Sequence, residues 1–588
     1  MRLARILLFT LLFCGYGLPK PPETHKVADI EVVGNFDLPA KELLRFFPVK
    51  PGQEIDPNAL RRAAGLLQRQ LQANGYLYAH IDSVKLERGG QNNGARIFIY
   101  GASGRLVKFG AIKVVADSLS PEEYQSELGI RAGEPFAKNR IDEGIQRILR
   151  LAADKGFPFA EASIDSARII NRKGQFSVAV KIAVHEHQPV FIKDILIRGN
   201  TYTKDRVILR ELDLFPGMRY SERKIAKVVE QLNRLNIFKS VNEPEILKVS
   251  PDSVLIRIGV EEGNATLFNG VVGYIPETAK TALGKSGGYF TGLIDLAFRN
   301  LFGTGRKFMV HWKKADRYSE DFNFSYSEPW VFNFPVDLGL GLNRVVRDTT
   351  YIEWQNFIRG ELRFFGHLKA ILSVRKKTII PDSAASRVLR LPLSDVWSGE
   401  AGIVYDTRDD LLNPRRGLYF RNSYSWGVKK ITGPGYLIRE DSLTTRDVLQ
   451  SVALDVEGYL PLWRNQVAAV GAHIRQIKGK QLSLGDYFWF GGSRTLRGYR
   501  ENQFSAPLIS WVNLEYRFLL NKNSRVFLFN DWGYYQQRSP AELKELLYGY
   551  GLGIRLETPL GILGVDYGLG KGDSFSRGKI HFGLVNTF

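Results

Sequence analysis

The sequence of 588 residues contains one cysteine, Cys14, and three methionines. Because Cys14 lies within the N-terminal leader, the rest of the chain can form neither a disulfide framework nor a thiolate metal site. Beyond the leader, no segment has the 18 or so uninterrupted apolar residues of a membrane-spanning helix. The G-x-S-x-G and HExxH motifs and the residue order of a catalytic triad are also missing, so we do not expect an enzyme.

The leader, MRLARILLFTLLFCGYGLPK, combines basic Arg2 and Arg5 with an apolar run over 6–13 and a small-residue exit. This pattern predicts a secretory signal peptide over residues 1–18, which is removed on export. A lipid anchor on Cys14 is the alternative, and the bulky residue directly before it argues against an anchor. The mature chain is therefore expected outside the cytoplasm.

Glycine (57 residues) and aromatic residues (12%) are abundant, and the formal net charge is +20. This composition, with little methionine, favours many short strands and turns over a helical core. The lysines and arginines are spread along the whole chain, and no RNA-binding signature accompanies them. We therefore expect a solvated surface with a charged interior, and no nucleic-acid partner.

The first half repeats one order of predicted elements, strand–helix–helix–strand–strand, three times. The copies cover residues 26–103, 104–188 and 189–262. Equivalent turn glycines are spaced 81 and 84 residues apart: Gly52, Gly133 and Gly217. Gly75 and Gly156 end the second helices of the first two copies, where a C-cap glycine belongs, and Asn236 takes that place in the third. The repeat indicates an array of small α+β modules.

The second helix of each copy carries apolar residues at amphipathic spacing, which predicts one buried face. The residues expected on that face are Leu60, Ala64, Leu67 and Leu71, then Ile141, Ile145, Ile148 and Ala152, then Ile225, Val229 and Leu232. Each module should lay two helices on one face of a three-stranded sheet. Open sheet edges can accept an extended chain as an added strand. The sequence leaves open whether the modules form such a platform or a spacer.

From residue 263 to 588 the helical period gives way to alternation of apolar and polar residues. In the segment 511–520, one face carries Val512, Leu514, Tyr516 and Phe518, and the other carries Asn513, Glu515 and Arg517. A soluble two-sheet sandwich can give the same alternation. The predicted export and the length, at roughly 20 residues per strand with its connection, favour a 16-stranded antiparallel transmembrane β-barrel.

The chain ends on a predicted strand, KIHFGLVNTF, in which Phe582, Leu584 and Phe588 share one face. We interpret these three residues as a C-terminal strand signal. A barrel must pair this strand with its first strand, expected near 266–275, or leave an unpaired edge in lipid.

Three short patterns resemble cofactor or metal sites but lack the required context. ALGKS (282–286) has alanine at position 279, where a phosphate loop needs its first glycine. The alternating glycines of 549–553 are better explained as small lumen-facing strand positions than as a dinucleotide fingerprint. His185 and His187 lack a nearby third ligand for zinc. The sequence therefore predicts no cofactor and no metal site.

The stretch GGSRTLRGY (491–499) resembles the signature of the BamA/TamA superfamily of outer-membrane assembly factors, whose usual form is V-R-G-[FY]. Here Leu496 stands in place of the valine, followed by Arg497, Gly498 and Tyr499. Glycine permits a tight turn, and the tyrosine can pack against a barrel wall.

The resemblance implies that this motif tips a loop around 488–504, folded into the barrel lumen. It also implies that Arg497 pairs with Glu515, in NLEYRF, and with Asp531, in FNDWG. The residue pattern agrees, because Glu515 falls on the polar face of its strand and a buried arginine needs a carboxylate partner. A solvated extracellular loop is the alternative.

Three further stretches resemble strand and turn signatures of the family: NLFGTG (300–305), SYSEPW (325–330) and YDTRDDLLNPRRG (405–417). On this resemblance the three repeats look like POTRA domains. Three POTRA domains, rather than five, look closer to TamA than to BamA.

The resemblance implies an insertase, with its barrel in the bacterial outer membrane and its POTRA domains in the periplasm. The implied partners are unfolded outer-membrane protein clients, outer-membrane lipid and a TamB-like periplasmic tether. Clients would reach the POTRA array by strand addition and then engage a weakly closed seam between the first and last barrel strands. Two other functions stay open: a two-partner-type secretion transporter and a passive porin.

Overall fold

The computed structural model describes residues 25–88, 94–263, 265–275, 288–314, 316–364, 367–440, 443–537, 542–558 and 561–585. The predicted signal peptide, the segment 282–286 and Phe588 lie outside these ranges. Within them, no helix has the length and apolar character needed to cross a membrane. The chain divides into two units, one of 1–194 with 216–225 and 247–255, the other of 195–215 with 226–246 and 256–588.

The first module contains one short strand more than expected. Its elements are β1 (His25–Phe36), α1 (Ala40–Phe46), β2 (Glu54–Ile55), α2 (Pro57–Ala73), β3 (His80–Arg88) and β4 (Gly94–Gly104). The sheet is ordered β2-β1-β4-β3, with β1 and β4 parallel. Helix α2 begins where the Asp56 side chain accepts the N–H of Ala59, and proline follows at the first turn.

The second module has the three-stranded sheet that the sequence predicts. Its elements are β5 (Val107–Ala116), α3 (Pro121–Leu128), α4 (Lys138–Asp154), β6 (Glu161–Arg172) and β7 (Gln175–His185), with sheet order β5-β7-β6. Glu186 is fully buried directly after β7. Its carboxylate accepts the backbone N–H groups of Asp117, Ser118 and Leu119, which fixes the turn between β5 and α3.

The third module departs from the prediction at two places. Its elements are β8 (Phe191–Arg198), α5 (Asp205–Leu209), α6 (Glu222–Ala226), α7 (Val228–Asn233), β9 (Phe238–Val241), β10 (Glu245–Ser250) and β11 (Ser253–Glu262). The second helix expected in this copy is interrupted at Lys227, which separates α6 from α7. The first of the two closing strands expected in this copy is divided into β9 and β10, because Pro244 between them has no N–H to donate to a sheet.

On the buried face of each second helix, the second buried residue lies one position earlier in the chain than the sequence predicts. The buried residues there are Ala63, Gly144 and Val228, where Ala64, Ile145 and Val229 were expected. Ile145 is partly buried and still packs against the core of its module. In the second module the cause is close helix packing. A Cβ on Gly144 would lie 2.6 Å from a methyl carbon of Leu128 on α3.

The turn residues keep the predicted register in all three modules. Gly52, Gly133 and Gly217 have φ values of +92°, +93° and +84°. The helix ends at Gly75, Gly156 and Asn236 are also left-handed, at +99°, +100° and +55°. Positive φ is readily adopted by glycine and tolerated by asparagine, which explains the residue types at these sites.

The second half forms a 16-stranded antiparallel sheet, which confirms the predicted strand number. Its elements, in chain order and with the inserted helices and hairpin, are β12 (Thr266–Ile275), β13 (Tyr289–Leu301), β14 (Arg306–Lys314), β15 (Glu320–Glu328), β16 (Val336–Arg347), β17 (Tyr351–Arg363), β18 (Leu368–Pro381), α8 (Ser383–Val388), β19 (Leu393–Asp406), β20 (Gly417–Gly433), α9 (Gly435–Glu440), β21 (Arg446–Trp463), β22 (Gln466–Lys478), β23 (Phe488–Phe490), β24 (Phe504–Ala506), β25 (Leu508–Leu519), β26 (Arg525–Gln537), β27 (Leu543–Thr558), β28 (Gly561–Gly570) and β29 (Lys579–Val585). Each strand pairs with the next, except that β22 pairs with β25 because β23 and β24 form a separate hairpin.

The two faces of this sheet carry different chemistry, as the alternation predicts. On β25 the exposed face carries Val512, Leu514, Tyr516 and Phe518. On the opposite face, Glu515 and Arg517 form ion pairs. An apolar outer face suits lipid, and a charged inner face suits a polar lumen.

Candidate functional site

The segment 479–507, which joins β22 to β25, is here named the lumen loop. On one side, the guanidinium of Arg347 on β16 lies 4.7 Å from the ring centre of Trp489 in this loop. On the other side, Arg497 of the loop reaches β25 and β26. Because the loop touches the charged faces of strands on both sides, it lies inside the cylinder that the sheet forms. This is the placement expected for residues 488–504.

Arg497 is the centre of the contact between the lumen loop and the wall. Its Nε and Nη2 donate to the two carboxylate oxygens of Asp531 at 2.7 Å each, and its Nη1 donates to Glu515 at 2.6 Å. Its backbone N–H also donates to Asp531, at 3.0 Å. The guanidinium lies 3.9 Å from the ring centre of Phe529. The structure thus brings together the three residues that the resemblance pairs.

This ionic cluster is buried. The side chain of Arg497 is 4% exposed, that of Glu515 12% and that of Asp531 0%. The second oxygen of Glu515 accepts Nε of Arg517 at 2.7 Å. Removing one partner of a buried ion pair typically costs about 3–5 kcal/mol, because the other charge stays buried without compensation. Moving the loop off the wall would therefore leave two carboxylates without the guanidinium that they bind.

Leu496 and Tyr499 flank Arg497 and attach the loop by packing and hydrogen bonding. Leu496 is fully buried in a cluster that includes Phe490. The hydroxyl of Tyr499 donates to the carbonyl of Tyr548 on β27 and accepts the N–H of Lys571, both at 3.0 Å. Leu496 and Tyr499 therefore both contact the barrel wall, which was the expectation for Tyr499.

The loop backbone lies directly on a glycine surface, here named the glycine seat and formed by Gly549, Gly568 and Gly570. A Cβ on Gly549 would lie 1.9 Å from the carbonyl oxygen of Arg497. From the loop side, Gly498 has a φ of +90°, and a Cβ there would lie 2.6 Å from the backbone of β28. Small inward positions were predicted over 549–553, but Gly568 and Gly570 were missed. The alternation of Gly568 and Gly570 along β28 could have predicted that they too are small inward-facing positions.

A second buried anchor holds the lumen loop to the opposite side of the barrel. Lys429 of β20 donates from Nζ to Asp486 at 2.5 Å, and both side chains are buried. The same carboxylate accepts the N–H and hydroxyl of Ser483, each at 2.8 Å. Lys377 of β18 donates to the carbonyl of Gly485 at 2.5 Å. The sequence analysis missed this anchor, although the alternation along β20 places Lys429 on the inner face.

Of the two terminal strands of the sheet, β12 makes no described ion pair with the lumen loop, and β29 contacts the loop, among the described residues, only through His581 and the half-exposed Glu501. Each pairs with one neighbour, β12 with β13 and β29 with β28. Between the described parts of these two strands, no backbone pairing is present. On their outer faces, Val272 is 59% exposed and Phe582 is 74% exposed. Of the predicted C-terminal signal, Phe588 lies outside the described residues, and Leu584 is described by its backbone alone, opposite Leu563.

Comparison with known families matches both halves of the chain. The family described as Omp85 superfamily domain matches residues 300–588. The POTRA family, described as surface antigen variable number repeat, matches residues 25–100, 107–187 and 190–263.

Three individual proteins illustrate the similarity. The outer membrane protein assembly factor BamA of Nitratidesulfovibrio vulgaris is 24% identical over 473 residues, which are 74% of this chain and 56% of that protein. BamA of Neisseria meningitidis serogroup B is 21% identical over 546 residues, 85% of this chain and 65% of that protein. The solved structure of CdiB from Escherichia coli is 14% identical with a TM-score of 0.48, covering 88% of this chain and 95% of that one.

The chain spans between half and two thirds of the length of these two BamA relatives. A closer relation to TamA than to BamA stays a prediction from the number of modules.

Proposed function

Because the chain belongs to the Omp85 superfamily and carries three POTRA modules ahead of its barrel, we propose that it is an assembly factor for outer-membrane proteins. The barrel lies in the outer membrane and the POTRA modules lie in the periplasm. The two BamA relatives are named as assembly factors, which supports the proposal. The proposal includes no chemical step and no cofactor.

The clients in this proposal are unfolded outer-membrane proteins, which first bind the POTRA modules as added strands. The second module offers an edge of suitable shape, because β6 stands at the end of its sheet. Ile164 and Ile169 on β6 are exposed apolar side chains beside this edge. An extended client segment can pair with the free N–H and C=O groups of such a strand. A TamB-like tether stays a prediction from the resemblance.

Insertion then takes place at the seam between the terminal strands β12 and β29. The single observation that carries this step is the contrast within one sheet. The described parts of β12 and β29 share no backbone pairing, whereas the strands that bear the lumen loop are held by buried ion pairs. In lipid, unpaired backbone groups are costly, so a client strand that pairs with an opened seam replaces the bonds that opening exposes.

A cross-link between the terminal strands tests the proposal. In a Cys14→Ser background, Val272→Cys and Phe582→Cys place one thiol on the outer face of each terminal strand, and a cleavable bifunctional reagent long enough to span the seam joins them. We expect client insertion into lipid vesicles to stop on cross-linking and to return when the reagent is cleaved. The matched control joins Leu528→Cys to Leu552→Cys, outward-facing neighbours on β26 and β27, and should leave insertion unchanged.

Insertion that continues at the wild-type rate through a joined seam would contradict the proposal. The two-partner secretion alternative instead predicts no client insertion, and export of a partner chain that joining the seam does not affect. A chain exported through the lumen would need the lumen loop to leave its site but would not need the seam to open. A passive porin predicts ion conductance but no client insertion, whether the chain is uncross-linked, joined at the seam or joined at the control pair.

A further inference from the structure

Four neighbouring barrel strands, β17 to β20, carry three arginines around one glutamate on their inner face. Glu400 of β19 is 8% exposed. One of its carboxylate oxygens accepts Nη2 of Arg375 on β18 at 2.9 Å, and the other accepts Nη2 of Arg421 on β20 at 3.3 Å. Arg375 lies on the same face of β18 as Lys377, which binds the lumen loop. The carboxylate therefore holds two guanidiniums side by side within the lumen.

Arg359 of β17 supplies the third guanidinium. It stands opposite Ser373 in the strand register, and Ser373 stands opposite Glu400. It interacts electrostatically with both other arginines and with Glu400. With the residues that the structure describes, it makes no hydrogen bond or ion pair. Three cationic side chains thus share one carboxylate.

The other carboxylates near these arginines already have cationic partners. Glu361, two residues along β17 from Arg359, pairs with Lys369 at 3.8 Å. Asp455 lies opposite Arg421 in the strand register and accepts Arg475 at 2.7 Å. Three positive charges against the single negative charge of the shared carboxylate therefore leave an excess of two positive charges.

The guanidiniums also have unused donors and free space around them. Arg375 and Arg421 each bind the shared carboxylate through Nη2, and Nη1 of each has no hydrogen-bond partner among the described residues. Both side chains are 28% exposed. The inner-face positions beside them carry small residues: Ser373, Ser398, Ser423, Ser425 and Gly427. Serine hydroxyls add further donors for an oxyanion.

A cavity of about 360 Å³ between these strands and the lumen loop reaches Arg375. Two carboxylates line this cavity, and they pair with lysines: Glu353 with Lys377 at 3.6 Å and Asp486 with Lys429 at 2.5 Å. The cavity therefore leads an anion to the arginines past no unpaired carboxylate among the described lining residues.

We propose that Arg359, Arg375 and Arg421, here named the arginine site, bind a phosphate group in the barrel lumen. A guanidinium fork matches phosphate oxygens with paired N–H donors. A phosphate monoester carries a charge of about −1.5 to −2 near neutral pH, which balances the excess of two positive charges, whereas one carboxylate balances only half of it. The phosphate is that of a free anion or of a lipid headgroup. Strands β17 to β20 lie in the middle of the sheet order, so binding needs no opening of the seam.

Titration of the full chain with inorganic phosphate tests the arginine site. The chain is held in phosphatidylcholine nanodiscs in a buffer free of phosphate and sulfate, and isothermal titration calorimetry measures binding. We expect saturable binding to the parent chain and at least about tenfold weaker binding to Arg359→Gln, because a hydrogen bond to a charged group contributes about that factor. Arg359→Gln removes no described ion pair, so the variant should keep the fold of the parent chain.

Lys313→Gln is the matched control for the charge of the lumen as a whole. Through the register of β14 to β17, Lys313 shares the inner face with Glu353, so its replacement removes one positive charge from the lumen outside the arginine site. The control should bind phosphate as the parent chain does. Equal weakening in both variants, or no saturable binding to the parent chain, would overturn the site. Acetate that binds as tightly as phosphate would also overturn it, because the site would then select carboxylates.

A second titration separates the two sources of the phosphate group. Dihexanoyl phosphatidic acid, a soluble lipid with the same phosphate monoester, replaces inorganic phosphate. Tighter binding of this lipid, again weakened in Arg359→Gln, assigns the site to a lipid headgroup, and equal or weaker binding assigns it to the free anion. Neither titration uses a client protein, so the arginine site and the assembly function stand or fall separately.

Discussion

Two regions of the same barrel sheet are held in different ways. The loop-bearing wall, strands β25–β28, has the lumen loop bound across its inner face through Arg497, Tyr499 and the glycine seat. The terminal strands, β12 and β29, each have one paired edge, and their outer side chains are largely exposed. The wall is therefore expected to stay intact while the terminal strands separate.

The two regions differ because the loop-bearing wall contains buried ion pairs and the terminal strand β12 contains no charged residue. At the wall, every carboxylate near Arg497 has a cationic partner, so the arrangement is stable only when the loop is in place. Strand β12 has no charged residue and no ion pair with which to resist separation. The buried ion pairs described here thus lie in the wall beside the seam, which suits the opening between the terminal strands that we propose.

The largest effect is expected from Arg497→Ala, which should make the wall resemble the terminal strands. Loss of the guanidinium leaves Asp531 and Glu515 buried without it, and the free energy of unfolding should fall by about 3–5 kcal/mol. Urea unfolding in detergent micelles measures this. Arg494→Ala, at an exposed site in the same loop, should change it by no more than about 0.5 kcal/mol. Equal unfolding midpoints for the two variants would show that the ion cluster does not hold the wall.

A smaller loss is expected when the second anchor is removed. Lys429→Met leaves Asp486 buried, but Ser483 still donates two hydrogen bonds to it, so the cost should be about 3 kcal/mol or less. Lys430→Met, on the exposed face of the same strand, is the matched control. Proteolysis within the lumen loop should become faster in Lys429→Met alone, and equal rates in both variants would rule out the anchor.

Gly549→Ala tests the glycine seat. The added methyl group would lie 1.9 Å from the carbonyl of Arg497, and such overpacking typically costs about 1–3 kcal/mol. At Gly458, a Cβ would meet no atom within 4 Å, so Gly458→Ala is the control. The unfolding midpoint should drop for the first variant only. A similar drop in both would mean that the effect comes from the strand backbone and not from the loop.

The smallest effect is expected on the terminal strand itself. Val272→Thr on β12 removes little packing because the side chain is exposed, and unfolding should change by no more than about 0.5 kcal/mol. The same urea titration measures it. A loss as large as that of Arg497→Ala would remove the distinction between the two regions.

Sequence periodicity was sufficient for the features that repeat locally. Turn glycines such as Gly52 and Gly133 recur because each module needs the same positive φ. The length of the alternating segment, at roughly 20 residues per strand with its connection, gave the 16 strands that the structure has. The pairing of Arg497 with Glu515 and Asp531 was reached through the family resemblance supported by strand parity.

The features that the sequence did not yield depend on contacts between distant segments. Lys429 and Asp486 are 57 residues apart, and only the folded loop brings them together. The choice of Gly144 over Ile145 on the buried helix face depends on how closely α3 approaches α4. Neither the Lys429–Asp486 ion pair nor the close approach of α3 to α4 is visible in local periodicity, because both are set by tertiary packing.

Amide hydrogen exchange of the full chain in lipid nanodiscs tests the contrast between the two regions most directly. Exchange reports local opening, which is frequent where few buried contacts hold a strand. Peptides from β12 and β29 should exchange at least about tenfold faster than peptides from β25 and β26, since about 1.4 kcal/mol separates rates by that factor. Equal protection of the terminal strands and the loop-bearing wall would contradict the account.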